Sequence, residues 1–472
     1  MIVYNYCVIL CAKHGKTGVC AQTPIDNALK SRYNSLIPNA MLVNFSYTNY
    51  MAYLQPTEFS MVAGRFRTHG ASLMEIPGER YAKLLPITAI YGGNASGKST
   101  FVHAMKCLRR IVLLGTVDHV EPHLFSPEGK TTPTTFKCTF ATEGRVMEYR
   151  IEVFSGKVIR EALVDTTKGR SKCIFDRRPG EVCAIGVEIE ANCPEEELKY
   201  AVKMGTSLPD KEVFLTTIIK LQVSALMPDA TLCHKWFAET LCIIEADSRR
   251  VGLGVDLLTQ LSNYSTALAN ADTGVEKLQF HEVNANIEDM VPQYILSEFR
   301  NSDDNVLIVP DDHSMLLVKD NSGIKAIKCY SAYSAADGTE TIIPLAKESN
   351  GTRRYLHLLP ILLDKQRDRV YIVDELDRSL HTTLSKSLIR SFRRIVENKE
   401  RKLQLIFTTH DVILMEGDNL RKDEIWVTER DEVHQAHLIS MAEYKDIRPD
   451  NQLRKSYLEG RMGGLPNMNC CV

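Results

Sequence analysis

The sequence has little net charge and no hydrophobic run long enough to cross a membrane. Its 57 Lys and Arg residues nearly balance its 59 Asp and Glu residues, which gives a formal net charge of −2 at pH 7. Nucleic-acid binding is therefore possible but is not indicated by charge. The apolar stretch over residues 1–12 has no basic residues before it and is interrupted by Lys13. We therefore expect neither a signal peptide nor a membrane span, and we expect a cytoplasmic protein.

The cysteines form no recognisable pattern, although there are 13 of them. None belongs to a Cys-x-x-Cys pair and their spacings are irregular, which argues against a zinc ribbon and against a disulfide scaffold. No heptad repeat is sustained, so a long coiled coil is not expected. With 472 residues, of which 44% are hydrophobic and 25% charged, the chain is long enough for two or three globular domains.

A glycine-rich loop, Gly92-Gly-Asn-Ala-Ser-Gly-Lys-Ser99, follows a short apolar run and precedes an amphipathic stretch. Strand, glycine loop and helix in this order form the context of a phosphate-binding P-loop. Backbone N–H groups and the helix N-terminus would face the phosphates, Lys98 would neutralise them, and the Ser99 hydroxyl would bind Mg²⁺. The sequence therefore predicts ATP and Mg²⁺ as ligands. The predicted nucleotide-binding residues here are Gly92, Gly93, Asn94, Ala95, Ser96, Gly97, Lys98, Ser99 and Thr100.

Two adjacent carboxylates end a second apolar run, Val370-Tyr-Ile-Val-Asp374-Glu375. This form is typical of a buried parallel strand with a Walker B end. We expect Asp374 to hold the metal. We expect Glu375 to act as the base that orients and deprotonates the attacking water. Taken alone, the segment would also fit an exposed Asp-Glu turn after a core strand.

A third apolar run, Leu405-Ile-Phe-Thr-Thr-His410, follows after one predicted helix from Ser379 to Val396. Such a βαβ unit would bring His410 to the same carboxyl edge of the sheet as Asp374. We therefore predict that His410 contacts the γ-phosphate, although a histidine in this position is often structural.

The segment Ser349-Asn-Gly351-Thr-Arg-Arg354 opens a further predicted helix. A small polar residue and a glycine at a helix start can bind an anion, and local N-capping is sufficient to explain the serine. Its place is one helix upstream of the Walker B strand. This position, together with the other three motifs, favours an anion-binding role for the segment.

Taken together, the four motifs resemble those of ABC ATPases, on the RecF, SMC and OLD side. The resemblance is strongest to bacterial AAA-type ATP-binding proteins of phage-defence and abortive-infection cassettes. It implies that Ser349 and Gly351 bind the γ-phosphate of a nucleotide held by another subunit. There are two departures: Asn49-Tyr-Met51 stands where RecF and SMC proteins commonly have Asn-Phe-Arg, and no Q-loop glutamine stands near His123-Leu-Phe125. The stretches that carry the resemblance are residues 41–53, 59–64, 349–354, 420–427 and 457–466.

The predicted fold class is α/β: a P-loop ABC-type ATPase head, with a mixed parallel sheet and an antiparallel β subdomain, and an inserted compact helical lobe. A hairpin is expected around residues 135–154, helices at Lys211–Met227, Cys233–Ala246 and Val255–Leu268, and strands at residues 305–328. The predicted domains are 1–40, a loosely attached extension; 41–194, the N-terminal half of the head; 195–300, the helical lobe; and 301–472, the C-terminal half.

The expected function is a Mg²⁺-dependent ATPase, with Glu375, His410 and Lys98 as its catalytic residues. The resemblance implies a homodimer closed by ATP, and a higher oligomer is also considered. We expect a nucleotide switch in anti-phage defence that controls a separately encoded effector such as a nuclease or toxin. The alternative is a RecF- or SMC-like ATPase for DNA repair or DNA clamping. A transporter subunit comes third, because a long insertion separates the P-loop from Ser349.

Overall fold

In the computed structural model the described residues are 40–66, 68–186, 195–221, 227–246, 260–283, 286–301, 306–309, 315–320, 323–363, 368–398, 401–416, 419–444 and 453–464. They fall into two compact units. The large unit comprises Ile37–Ala246, Gln366–Asp377 and Ser385–Val472. The small unit includes Asp247–Lys365 and Arg378–Leu384. Apart from Ala40, the predicted extension at residues 1–40 lies outside the described residues.

The described strands and helices, in chain order, have the following bounds. The strands are β1 (Met41–Thr48), β2 (Thr57–Ser60), β3 (Met74–Glu75), β4 (Lys83–Leu84), β5 (Ile87–Gly92), β6 (Thr134–Thr142), β7 (Arg145–Phe154), β8 (Lys157–Asp165), β9 (Lys172–Arg177), β10 (Ala184–Ile185), β11 (Leu241–Ile244), β12 (Lys277–Glu282), β13 (Val306–Ile308), β14 (Met315–Asp320), β15 (Gly323–Ser334), β16 (Glu340–Pro344), β17 (Arg369–Val373), β18 (Leu403–Thr408), β19 (Ile425–Arg430) and β20 (Ala436–Ser440). The helices are α1 (Lys98–Leu114), α2 (Glu195–Ser207), α3 (Phe214–Lys220), α4 (Pro228–Lys235), α5 (Leu261–Ala269), α6 (Ile287–Met290), α7 (Gln293–Asn301), α8 (Asn350–Leu358), α9 (Pro360–Leu363), α10 (Thr382–Glu397) and α11 (Leu453–Leu458).

A mixed sheet in the large unit carries the three strands that the motifs predict. Its order is β11-β17-β18-β5-β19-β20, parallel from β11 to β19, with β20 antiparallel to β19. Every residue of β5 and β18 is buried, as expected for parallel strands covered on both faces. The predicted βαβ arrangement is confirmed: β17, α10 and β18 follow one another, and β18 lies between β17 and β5. The P-loop and the two polar clusters therefore share the carboxyl edge of adjacent strands.

A seven-stranded antiparallel sheet in the large unit has the order β10-β9-β8-β7-β6-β1-β2. The predicted hairpin is its β6-β7 pair, which turns at Glu143 and Gly144, both with positive φ. Buried Gln404 of β18 connects this sheet to the parallel one. Its side chain accepts from Leu42 N at 2.6 Å and donates to Leu42 O at 3.0 Å. Phe101 of α1 packs against Phe45 and Phe59 of the antiparallel sheet, so the P-loop helix lies in the shared core.

The helix predicted at Cys233–Ala246 is wrong over most of its length. Only α4 is α-helical there, a π-helical turn spans Trp236–Thr240, and Leu241–Ile244 forms β11 at the edge of the parallel sheet. A short apolar run next to a helix has no periodicity that separates the two states, and pairing with β17 decides it. The other two predicted helices are described in part, as α3 and α5.

The small unit has an antiparallel sheet of its own, β12-β15-β14-β13, with β16 also paired to β15. The strands expected between residues 305 and 328 are confirmed as β13, β14 and part of β15. Strand β12 lies inside the segment predicted as one helical lobe, residues 195–300, and the division between the two units also falls inside that segment. A buried cluster supports the sheet: Val291, Ile295, Leu296, Phe299, Val309, Met315, Leu317 and Ala326.

Among the described residues, none of the helices combines the length and apolar character that a bilayer span requires.

Candidate nucleotide-binding site

The P-loop connects β5 to α1 with the backbone angles that its glycines permit. Gly92 has φ 153° and Gly97 has φ 109°. A Cβ on Gly92 would lie 2.2 Å from Thr428 Oγ1, so no larger residue fits between the loop and β19. Ala95 also has positive φ, at 59°, which is unusual for a residue with a side chain. The sequence prediction of a strand, a loop and a helix is confirmed, with α1 beginning at Lys98.

Thr428 fixes the outer side of the loop. Ser96 Oγ and Thr428 Oγ1 are 2.5 Å apart, and the Thr428 hydroxyl lies 3.2 Å from Tyr91 O. Both hydroxyls are buried. The sequence gives no sign of this role for Thr428, because nothing in the pattern of β19 indicates that it pairs with the P-loop strand.

Lys98 is folded back over its own loop. Its Nζ donates to Gly92 O at 2.9 Å and to Gly93 O at 2.8 Å, and the residue is only 6% exposed. Burial lowers the pKa of Lys98, and the carboxylates of Asp374, Glu375 and Asp377 oppose that change. The Lys98 ammonium is thus held against the backbone of its own loop.

Three side chains converge where α1 meets the ends of β17 and β18. The Ser99 hydroxyl donates to Asp374 Oδ1 at 3.3 Å, and the Thr408 hydroxyl donates to the same oxygen at 2.6 Å. A hydroxyl and a carboxylate from the protein, completed by phosphate and water, suit Mg²⁺, which prefers oxygen ligands. The described residues contain no group of three or more His, Cys, Asp and Glu side chains that could hold a metal.

Glu375 begins the turn after the Walker B strand. Its N–H donates to the Thr408 hydroxyl at 2.7 Å, and the next N–H, of Leu376, donates to Thr408 O at 3.0 Å. Its φ of 47° is left-handed, a conformation that costs energy in a residue with a side chain. The structure therefore holds the Glu375 backbone in a strained position beside Asp374.

His410 follows β18 at the same edge. Its N–H donates to Asp377 Oδ2 at 3.4 Å. Burial lowers the pKa of His410 and the charge of Lys98 lowers it further, while Asp377, Glu375 and Asp374 oppose the change. The imidazole is therefore neutral at pH 7 and able both to donate and to accept a hydrogen bond.

Asp377 is a second residue at this edge that the sequence motifs do not include. Besides accepting from His410, it has a buried Oδ1 with no hydrogen-bond partner among the described residues, as has Oδ2 of Asp411. Its position three residues after Asp374 was visible in the sequence, but a carboxylate after a Walker B pair reads equally well as a solvated turn.

Ser349 and Gly351 lie in the small unit, at the start of α8. The Ser349 hydroxyl accepts from Thr352 N at 3.0 Å, which is the local N-cap. A Cβ on Gly351 would lie 2.8 Å from Ser379 O, so the helix start is packed against the backbone that follows the Walker B turn. The predicted role of these two residues at a nucleotide remains a prediction.

Comparisons with known proteins identify one family and a set of similar structures. A family model described as "AAA domain, putative AbiEii toxin, Type IV TA system" matches residues 87–212 and 247–416, more than half of the chain. No curated protein matches.

Three solved structures of SMC heads are similar to the chain. A head bound to the C-winged helix domain of ScpA has 12% identity and a TM-score of 0.38, covering 84% of this chain and 97% of that one. The SMC head domain from Thermotoga maritima has 9% identity and a TM-score of 0.34, with 84% and 98% covered. The Pyrococcus furiosus head has an extended coiled coil and is bound to the C-terminal domain of ScpA. It has 13% identity and a TM-score of 0.36, covering 85% of this chain and 96% of that one.

Proposed function

We propose that this chain, which belongs to the family described as "AAA domain, putative AbiEii toxin, Type IV TA system", binds ATP with Mg²⁺ and hydrolyses it to ADP and phosphate. The observation that carries the proposal is the 3.3 Å hydrogen bond from Ser99 Oγ to Asp374 Oδ1. It joins the P-loop helix to the end of the Walker B strand across 275 positions of sequence. Two predicted Mg²⁺ ligands are thus brought together by the fold.

Each residue at this edge has a role that follows from its contacts. Lys98 exchanges its two loop carbonyls for phosphate oxygens when ATP binds. Bound Mg²⁺ supplies positive charge that neutralises the phosphates, and Ser99 and Asp374 provide the oxygens that hold it. Glu375 takes the proton of the water whose oxygen attacks the γ-phosphorus, while the bond from that phosphorus to the ADP oxygen breaks. Neutral His410 donates a hydrogen bond to the γ-phosphate.

The active form in this proposal is a homodimer with two shared ATP sites. Ser349 and Asn350 are exposed, so the N-terminus of the nine-residue α8 is accessible to another subunit. Ser349 and Gly351 bind the γ-phosphate held by the partner's P-loop, through the helix N-terminus. Two chains then dock around two ATP molecules, and loss of the γ-phosphate releases them. Further association of dimers is compatible with this geometry.

The output of this switch is carried by a second protein. We assign the chain to anti-phage defence in the cytoplasm, where it restrains or scaffolds a separately encoded nuclease or toxin. The support is the resemblance of the motif set to abortive-infection ATPases and the family description, which refers to a toxin-antitoxin system. Co-purification of a protein encoded in a neighbouring reading frame, and its release on ATP hydrolysis, tests this part.

DNA clamping, the alternative, finds less support in the side chains. Its natural contact would be the basic cluster on α10, formed by Arg390, Arg393 and Arg394. Arg393, however, is buried and donates two hydrogen bonds to Glu424 at 3.0 and 2.7 Å. Arg390 donates to Asn419 at 3.1 Å. Hydrolysis that is stimulated by DNA and falls steeply with salt would favour this alternative.

The substitution Glu375→Gln tests the proposed chemistry. The amide keeps the shape of the side chain but cannot accept the proton, so we expect turnover to be lost and ATP-dependent dimers to persist in sedimentation. Glu397→Gln, at the exposed end of α10, is the matched control and should leave both properties unchanged. If the Glu375→Gln variant hydrolysed ATP at the rate of the unaltered protein, Glu375 would not be the base.

A further inference from the structure

Two turns lie side by side at the carboxyl edge of the parallel sheet. One follows β17 and contains Asp377, and the other follows β18 and contains Asp411. The turns are in contact, because His410 N donates to Asp377 Oδ2 at 3.4 Å. Asp411 Oδ1 accepts from Ile413 N at 3.0 Å and so caps the 3₁₀ turn Val412–Met415. Each carboxylate therefore uses one of its oxygens to hold a turn in place.

The second oxygen of each carboxylate is buried. Asp377 Oδ1 and Asp411 Oδ2 are both hidden from solvent, and neither has a hydrogen-bond partner among the described residues. Lys98 acts electrostatically on Asp377, but its ammonium donates to the carbonyls of Gly92 and Gly93. A buried carboxylate oxygen without a partner is costly, because it has lost the water that solvates it. These two oxygens therefore need a positively charged or proton-donating ligand.

A third buried oxygen, the hydroxyl of Tyr91, faces the same place. Tyr91 lies in β5 and is fully buried, and its Oη has no hydrogen-bond partner among the described residues. Strand β5 is the direct neighbour of β18 in the sheet, so Tyr91 adjoins the turn that contains Asp411. Burial raises the pKa of Tyr91, and the nearby carboxylates of Asp411 and Asp377 raise it further. The hydroxyl is thus within electrostatic reach of both carboxylates.

Helix α11 covers the ring of Tyr91. The centroids of the Tyr91 and Tyr457 rings are 6.1 Å apart, and both residues are buried. Arg454 of the same helix is ion-paired with Glu416, at the end of the 3₁₀ turn that Asp411 caps. The strand, the helix and the two turns all belong to the large unit. The position of the Tyr91 hydroxyl is therefore fixed by packing.

We propose that Tyr91 Oη, Asp377 Oδ1 and Asp411 Oδ2 bind a monovalent metal cation such as K⁺. All three ligands are oxygens, which hard cations prefer, whereas zinc and copper favour nitrogen and sulfur. Mg²⁺ fits less well, because it keeps several waters in a strict octahedron and this cluster is buried. Only two of the ligands are carboxylates, so the cluster differs from a site of three or more His, Cys, Asp and Glu side chains, which is absent from the described residues.

The bound cation joins the two turns. Asp377 follows Glu375 by two residues, and Asp411 directly follows His410. Coordination of both carboxylates therefore fixes the separation of the turns that carry these two residues. A cation that binds only the folded chain also stabilises it, by an amount that grows with the cation concentration. This effect needs no nucleotide, so the cation site does not depend on the ATP proposal.

Thermal unfolding of the full chain without nucleotide or Mg²⁺ tests the site, in KCl, NaCl or choline chloride at one ionic strength. Choline is too large for a buried cluster, so we expect the midpoint in KCl or NaCl to lie about 2–4 °C above that in choline chloride. Tyr91→Phe removes only the hydroxyl, and Asp411→Asn keeps the shape of the side chain without its charge. Each should abolish most of the difference.

Tyr149→Phe is the matched control. Tyr149 is also fully buried, but its hydroxyl donates to Glu161 Oε1 at 3.1 Å. This variant should keep the full difference between the salts, whatever its absolute midpoint.

Equal midpoints of the unaltered protein in all three salts would overturn the proposal and leave ordered water as the partner of the three oxygens. A difference that persists undiminished in Tyr91→Phe or Asp411→Asn would also overturn it, since the cation then acts elsewhere. If these variants do not fold, crystals of the unaltered protein soaked in thallium(I), a substitute for K⁺, decide the question. An anomalous peak between Tyr91 Oη and Asp411 Oδ2 supports the site, and no peak there rejects it.

Discussion

The Thr408 hydroxyl donates a 2.6 Å hydrogen bond to Asp374 Oδ1, and the same hydroxyl accepts from Glu375 N at 2.7 Å. One buried side chain on β18 thus orients the predicted metal ligand and pins the backbone of the predicted base. A hydroxyl can do both because it offers one donor and acceptor lone pairs from a single oxygen.

Thr408→Val should therefore reduce turnover without changing the shape of the core. It removes the acceptor of the Glu375 N–H and the shorter of the two hydrogen bonds to Asp374 Oδ1, at a cost of about 1–3 kcal/mol. Displacement of Asp374 and Glu375 should lower kcat by about 10- to 100-fold. Steady-state ATPase assays and urea denaturation measure the two effects.

The control for this variant is Thr88→Val on the neighbouring strand β5. Thr88 is also fully buried, but its hydroxyl donates to Met61 Sδ at 3.2 Å and to Ile87 O at 2.9 Å, away from the carboxylates. It should keep its turnover. Equal kcat values for the two variants would show that the Thr408 hydroxyl does not organise the site.

Gly351→Ala should weaken ATP-dependent dimerisation. The added Cβ would lie 2.8 Å from Ser379 O, closer than real contacts allow, so the start of α8 must move. Sedimentation in the Glu375→Gln background, where closed dimers accumulate, measures the change. Gly70→Ala is the control, since no atom lies within 4 Å of its Cβ position. Unaltered dimerisation of the Gly351→Ala variant would show that the start of α8 is not part of the dimer contact.

The lowered pKa of His410 predicts a dependence of stability on pH. In the unfolded chain His410 takes up a proton near pH 6.5, whereas in the folded chain burial and Lys98 delay protonation to lower pH. The unfolded state thus binds more protons as pH falls below about 6.5, and stability decreases there. Burial lowers the pKa values of His119 and His234 in the same direction.

His410→Gln removes one of these contributions. We expect its urea midpoint to fall less than that of the unaltered protein between pH 7.5 and pH 5.5. At pH 7.5 the linkage term vanishes, so any difference there reports only the packing of the new side chain. A fall with pH as large as that of the unaltered protein would show that His410 does not resist protonation.

The sequence predicts those parts of the site in which an apolar strand ends in polar residues that can bind a ligand or take part in catalysis. The ends of β5, β17 and β18 each show an apolar run followed by polar residues, and the fold places all three at one edge. Thr428 and Thr408 could not be found in this way, because a buried threonine in a strand looks like any β-branched core residue. Their roles arise from strand order, which periodicity does not encode.

The same limit of sequence periodicity explains why β11 was predicted as part of a helix. The apolar residues of β11 follow a helical segment without a break in pattern. They form a strand because they pair in parallel with β17 at the edge of the sheet. Phe125 is a further case. The sequence shows an aromatic residue in a loop, whereas in the structure its ring lies 4.8 Å from the guanidinium carbon of Arg430, 305 positions later in the chain.

Mixing two inactive variants tests whether the ATP site is shared between subunits. Lys98→Ala disables a P-loop and Ser349→Arg blocks the start of α8, so each alone should lack turnover. In a mixed dimer, however, the intact P-loop of one chain meets the intact Ser349 of the other. A one-to-one mixture should recover roughly a quarter of the unaltered rate, because half of the dimers are mixed and each keeps one of two sites. Mixing Lys98→Ala with Glu375→Gln is the control and should recover nothing, since both changes damage the site of the chain that carries them. Activity in the control mixture only, or in neither, would place Ser349 outside the partner's site.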